Sequence, residues 1–199
     1  MNSPVREPQQ DRSRATRERL VAAAVDLLAT RGWAATTVAK VAEEAGVSRG
    51  AAQHHFPTRE ALFHAVIEEM YETMMVEATQ SLAAVPSGAD RIEAVVDQAV
   101  SIYTGKPFKA ALQVWSAAAS DPALGDVIRP LEAKLGRAAH KFVVAGLDPD
   151  GTHPQAHRLA QITLDLARGL GLADTLSDDS RRRAGVAAAW VEQLTVALG

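Results

Sequence analysis

Helix, break, helix, break, helix is the pattern packed into "VAEEAGVSRGAAQHHFPTREALF", Val41 to Phe63. Gly46 and Gly50 stand four residues apart in an otherwise alanine-rich helical stretch, although glycine costs an exposed helix interior about 1 kcal/mol relative to alanine. Gly46 suits the left-handed position that closes a helix. Val47 then turns inward and Ser48 is a good N-cap for a short helix, Arg49 to His55. Gly50 leaves one face of that helix free of bulk. Phe56 returns to the core, Pro57 ends the run, and Thr58 caps a further helix whose first turn places Glu60 favourably at the helix dipole. Just upstream, "TTVAKVAEEAG" reads as a helix with Thr36 or Thr37 as N-cap and Val38, Val41, Ala42 and Ala45 on one face.

The rest of the chain agrees with a helical class. Its 199 residues are enough for a proper core, and 47% of them are hydrophobic while only 5% are aromatic. No run shows the period-two alternation of a half-buried strand, so the expected fold is all-α. Residues 1–13 are polar and lack apolar periodicity, which predicts a flexible arm. Helices are expected over Ser13–Arg31, with Gly32 as its stop, and from Thr58 through Met70 and Met74 to Leu82. Further helices are expected over Asp90–Thr104, Phe108–Ala119, Asp121–Val144 with a kink at Pro130, Pro154–Leu176 and Asp178–Leu198. "GLDPDGTHP", Gly146–Pro154, is the clearest linker in the second half. The expected organisation is an arm over 1–13, a helix-turn-helix domain over 14–60 and a second helical domain over 61–199.

A helix, a glycine-containing turn and a second short helix can present that second helix to a DNA major groove. Arg49, Gly50, Ala51 and Gln53 form its small or polar outer surface, and arginine and glutamine have base-reading geometry. Thr37, Ser48, His54, His55 and Arg59 are placed to donate to phosphates, which sets register without specifying sequence. The pattern alone fits a structural three-helix hairpin equally well. Net charge is -3, yet residues 1–64 carry nine Lys/Arg against seven Asp/Glu while the remainder carries twelve against seventeen. The asymmetry favours an anion-binding front. Arg6, Arg12 and Arg14 are candidates to reach an adjacent minor groove.

The same stretch, "TTVAKVAEEAGVSRGAAQHHFPTREALF", resembles the N-terminal signature of the TetR family of bacterial transcriptional regulators. The likeness lies in the paired threonines, the "AGVS" turn, the "HHF" end of the second helix and the "PTREAL" entry to the next, and it covers roughly residues 14–64. The resemblance implies a dimeric, all-α repressor of double-stranded DNA with a small ligand-binding domain. It puts Arg49, Gly50, Ala51 and Gln53 at base-facing positions and Thr37, His54, His55 and Arg59 at phosphate-facing ones. The family usually has tyrosine where this chain has Gln53, so the contact of that phenol is missing here. "ARGLGLADTLSDDSRRRAGVAAAWVEQLTVAL" is similar to the family's last two helices, which form a four-helix dimer interface.

On the residues themselves, Ala187, Trp190, Val191, Leu194 and Leu198 make one apolar stripe on the final helix, suited to a homodimer seam or to packing within the chain. Tyr71, Met74, Tyr103, Phe108, Leu112, Trp115 and Phe142 are candidates to line a cavity for an unidentified small-molecule effector, with plain core as the alternative. Asp165 and Arg168, three apart in an apolar helix, suit an ion pair or a ligand anchor. His153 and His157 have the spacing of a helical metal pair, but Pro154 disfavours helix there and no acidic cluster completes a site, so neither metal nor cofactor is expected. A phosphate loop, a nucleophile elbow and a zinc-protease histidine pair are all missing, which argues against an enzyme. With no cysteine, a polar start and no run of membrane-span length, a soluble cytoplasmic protein is expected. Two functions stay open: a ligand-responsive regulator, most simply a repressor on a palindromic operator, or a helical interaction protein or ligand-free activator.

Overall fold

The computed structural model describes residues 7–84 and 89–199. Its elements are α1 (Glu7–Ala35), α2 (Val38–Glu44), α3 (Arg49–His55), α4 (Arg59–Ala84), α5 (Ala89–Ile102), α6 (Gly105–Ser120), α7 (Pro122–Leu147), α8 (Ala156–Ala173) and α9 (Ser180–Leu198). Among the described residues there is no strand, and no helix is long and apolar enough to cross a membrane. The fold is the expected all-α one.

Chain packing divides the molecule into two compact units. The first takes residues up to Met70 together with Lys109–Leu131; the second takes Tyr71–Phe108 and Glu132–Gly199. This differs from a boundary at residue 60, because distant segments complete the first core. Leu20, Leu28, Val41, Ala52, Leu62, Phe63 and Val66 are buried together with Ala110, Val114, Leu124 and Ile128. Half-buried Trp33 packs on the same cluster, its ring 4.3 Å from that of Phe63.

Local signals set the helix ends on either side of the short helices. Thr37 caps α2 by accepting from the Lys40 amide at 3.2 Å, and Thr58 caps α4 by accepting from Ala61 at 3.1 Å. The other threonine of the pair, Thr36, is buried and donates to the Gly32 carbonyl at 2.8 Å. The helical run of α1 breaks at Gly32, with φ 77° and ψ 179°. At its other end α1 starts at Glu7, six residues before Ser13, so Arg12 and Arg14 lie on a helix and not on an extended arm. Arg14 pairs there with Asp11 at 3.3 Å and Glu18 at 3.7 Å; Arg6 is outside the described residues. α7 runs through Pro130 as one helix.

In the second unit α5 packs against both α8 and α9. The closest approach is at Gly171, where a Cβ would fall 1.7 Å from the Tyr103 carbonyl oxygen. Arg91 of α5 donates to the carbonyls of Gly146 at 2.8 Å and Ala145 at 3.2 Å, satisfying acceptors left open at the end of α7. The expected linker is a tight turn. Asp148 accepts the amides of Thr152 and His153 at 3.1 and 2.9 Å.

Candidate nucleic-acid interface

The turn between α2 and α3 is built by backbone bonds that only one conformation satisfies. The Val47 amide donates to Ala42 at 2.9 Å and the Gly46 amide to Glu43 at 3.2 Å. These are the paired bonds of a Schellman closure, which needs a left-handed residue at Gly46; its φ is 62°. Ser48 then caps α3 by accepting from the Ala51 amide at 3.2 Å. Ala52 and Phe56 are fully sunk in the core beneath, so α3 is held from below along its length.

What α3 turns outward is polar or small. Arg49, Gly50, Gln53 and His54 are exposed, and Ala51 and His55 are half-buried. Among the described residues nothing beyond the flanking residues and the helix's own backbone lies within 4 Å of where a Gly50 Cβ would stand. Among the described residues neither Arg49 nor Gln53 has a hydrogen bond or ion pair to another side chain. The rings of His54 and His55 meet edge to face, 5.8 Å from each other at 71°. Thr37 and Ser48 are exposed, and each hydroxyl that accepts a cap bond keeps its own proton to donate. Lys40 of α2 is tied to Glu43 at 2.8 Å, and that bond holds the Glu43 carboxyl below the usual carboxylate range.

Arg59 departs from the expected outward placement. Its guanidinium carbon lies 3.9 Å over the Trp33 ring and 5.3 Å from that of Phe63, and Nη2 donates to the Trp33 carbonyl. Its Nε is buried and has no hydrogen-bond partner among the described residues, and burial pushes its pKa below the usual arginine value. The charge is spent within the unit because an aromatic face meets it there together with the Trp33 carbonyl, which also accepts from the Thr36 amide at 3.2 Å. At the same turn, Gln113 Oε1 of α6 accepts from the Trp33 amide at 3.4 Å. Nothing local marks Gln113, eighty residues away along the chain, as a neighbour of this turn. Arg59→Ala is therefore expected to destabilise the protein by about 1–2 kcal/mol, through a lost charged hydrogen bond and cation–π stacking. Arg59→Lys restores little, since an ammonium cannot stack and fork as a guanidinium does. Thermal melts read the loss. A phosphate donor would instead leave the melt unchanged and lower the salt dependence of DNA binding by about one ion.

The other expected groups separate. Ala187 and Leu194 of the α9 stripe are buried within the chain, Val191 and Leu198 are half-buried, and half-buried Trp190 donates to Thr163 of α8 at 3.0 Å. The apolar side chains left in solvent on this hairpin are others: Ile162 at 42% exposure, Leu172 at 57%, Leu176 at 94% and Val196 at 82%. Asp174 and Arg183, paired at 2.6 Å, join the two helices.

Of the expected effector-lining residues, Tyr71, Tyr103, Phe108 and Phe142 belong to the second unit, while Leu112 and Trp115 belong to the first. The Met74 side chain lies outside the described residues. Tyr103 and Phe108 are buried and meet edge to face at 5.4 Å. Arg168 stacks 5.1 Å over Tyr103, donates to its hydroxyl at 3.3 Å and pairs with Asp165 at 3.3 Å on its own helix. Burial raises the Tyr103 phenol above its ordinary pKa against the pull of Arg168. Tyr71 lies under Lys134 Nζ at 4.1 Å. His157 stacks on His140 at 5.4 Å, and His153 accepts from the Gln155 amide at 3.3 Å. Among the described residues no group of three metal-ligating side chains converges.

A family model for bacterial regulatory proteins of the tetR family matches residues 20–66, the span from mid-α1 to α4 that holds the two short helices. Over that span the chain carries the N-terminal domain of the TetR family of transcriptional regulators. The HTH-type transcriptional regulator CymR of Pseudomonas putida is 37% identical over 127 residues, 64% of this chain. The matched part spans 63% of the length of CymR. Two solved structures share the fold. A regulator from Saccharomonospora viridis in complex with choline is 18% identical with a TM-score of 0.69, over 88% of this chain and 95% of that one. FadR from Bacillus subtilis, in complex with stearoyl-CoA, is 15% identical with a TM-score of 0.68, over 90% and 98%. In TetR-family terms α2 and α3 are the helix-turn-helix, and the capping and closure bonds above are what hold it.

Proposed function

We propose that this chain is a ligand-released repressor of the TetR family that binds a palindromic operator as a two-fold dimer, with α3 of each copy in a major groove. The observation that carries the reading is the outward face of α3. A short helix is pinned from beneath by Ala52 and Phe56, capped at Ser48, and presents Arg49, Gly50 and Gln53 to solvent. Rigid support with unspent donors is what base reading requires. Ala51 lies at the edge of that face; Thr37, Ser48, His54 and His55 flank it as phosphate donors. Arg59 supports the turn and is not part of the contact set.

The proposed dimer seam is the solvent face of α8, the turn after it and α9, with Ile162, Leu172, Leu176 and Val196 outermost and Val191 and Leu198 at its margin. The proposed effector is a small, largely apolar molecule received by the second unit near Tyr103, Phe108 and Phe142, with Arg168 as a polar handle. That proteins of this fold take up ligands at all is supported by two complexes, one with choline and one with stearoyl-CoA; the apolar character of the effector rests on the aromatic side chains alone. α4 directly follows α3 and continues into the second unit, which makes it a covalent route for coupling. A coupling of ~1–3 kcal/mol releases DNA by roughly 5–150-fold, and linkage requires DNA to weaken effector binding by the same factor.

The test is binding of the full chain to the DNA upstream of its own gene and of adjacent genes, at two salt concentrations. For about six to ten neutralised phosphates the affinity falls some 10³–10⁵-fold between 50 and 200 mM salt. Binding that is absent, or indifferent to salt, removes the reading.

A further inference from the structure

The seven residues of α3 are not equivalent toward a ligand on their outer side. Ala52 is buried, and Ala51 and His55 are half-buried. At about 100° of turn per residue, the direction opposite these three falls between Gly50 and Gln53. Arg49 and His54 lie to either side of it. Gly50 contributes no side chain, and among the described residues nothing beyond the flanking residues and the helix's own backbone fills its place within 4 Å. The helix can therefore approach a flat surface closely along this line, and the first side chain met there is Gln53.

Chemistry narrows what Gln53 can read. It is exposed, and among the described residues its amide has no hydrogen-bond partner, so acceptor and donors are both available. In the major groove adenine offers N7 as acceptor and the N6 amino group as donor, side by side. A glutamine amide satisfies both at once. Guanine presents two acceptors, N7 and O6, and would leave the amide oxygen unpaired. Arginine, which does suit guanine, stands at the margin of the face at position 49.

We infer that Gln53 is the side chain that sets operator specificity, by selecting an A·T pair at the centre of each half-site. The inference rests on the reading of α3 as the recognition helix and deepens it. Two-fold symmetry places the same pair, inverted, in the other half-site.

The experiment is selection of binding sites from a randomised duplex library by the full chain, followed by affinities for the selected site and its single-pair changes. The expected result is one symmetric position at which A·T is preferred roughly 5- to 150-fold over other pairs. Gln53→Ala should flatten that position and leave the others sharp. Gln53→Glu should move the preference there toward cytosine, whose amino group a carboxylate accepts. Since Gln53 is exposed, both variants should keep the wild-type helical spectrum and melt. If Gln53→Ala weakens every sequence alike, or relaxes no position, Gln53 is a backbone contact and the inference is overturned while the recognition-helix reading stands. If the wild-type chain enriches no sequence, both fall together.

Discussion

Gly171→Ala is expected to lower the thermal midpoint by about 6–12 °C or more, the shift of a protein this size for a loss near 3 kcal/mol. Two effects oppose each other. Alanine is favoured over glycine within a helix by about 1 kcal/mol, and Gly171 is inside α8. Against that, the new Cβ would stand 1.7 Å from the Tyr103 carbonyl oxygen, 2.8 Å from its carbon and 2.9 Å from the edge of Phe108. Backbone cannot swing aside as a side chain does, so α8 must move off the end of α5, and the steric term wins. Gly169→Ala separates the two contributions. Gly169 is exposed and meets nothing within 4 Å, so that variant keeps only the propensity gain and should be neutral or stabilised by up to about 1 kcal/mol. Denaturation followed by far-ultraviolet circular dichroism reads both. Equal midpoints for the two variants would mean that α8 and the Tyr103 turn do not hold the close packing described.

How much of the fold is legible in the sequence follows the range of the interactions involved. Gly46, Ser48, Thr37 and Thr58 act on amides a few residues away, so their identity and spacing are enough to announce the turn and the caps. The outward character of Arg49 and Gln53 follows equally from the buried Ala52 and Phe56 beside them. Arg59 turns inward against its local pattern because its place depends on Trp33, whose ring and carbonyl lie 26 residues earlier in the chain. Periodicity says which side of a helix is apolar, not what covers it. Ala187 and Leu194 are apolar because they close their own chain's core, and the first unit reaches beyond residue 60 because Val114 and Ile128 fill it from afar. Gly171 is one more glycine in "ARGLGLA" as far as the sequence goes, since a clash with residue 103 has no local signature.

Leu172→Asp, one residue beyond Gly171 and turned outward on α8, is expected to leave the fold intact and separate the proposed dimer. Leu172 is 57% exposed in the single chain, and a substitution at such a surface position changes stability by less than about 0.5 kcal/mol. At a two-fold seam the same change places a carboxylate in an apolar interface twice, once from each copy. If each buried, unpaired charge costs about 3 kcal/mol, two weaken association by roughly 10⁴-fold, which at micromolar concentration gives monomers. Operator binding should fall with it by about 10²–10⁴-fold, because each recognition helix then binds without its tethered partner. Trp190→Asp is the poorer test, since Trp190 holds Thr163 in its own chain and its loss would mix misfolding with dissociation. Sedimentation of Leu172→Asp against wild type, with thermal melts as the folding control, decides the matter. A folded variant that still sediments as a dimer would place the seam away from Ile162, Leu172, Leu176 and Val196, and the palindromic geometry of the operator would then have to be built on another face.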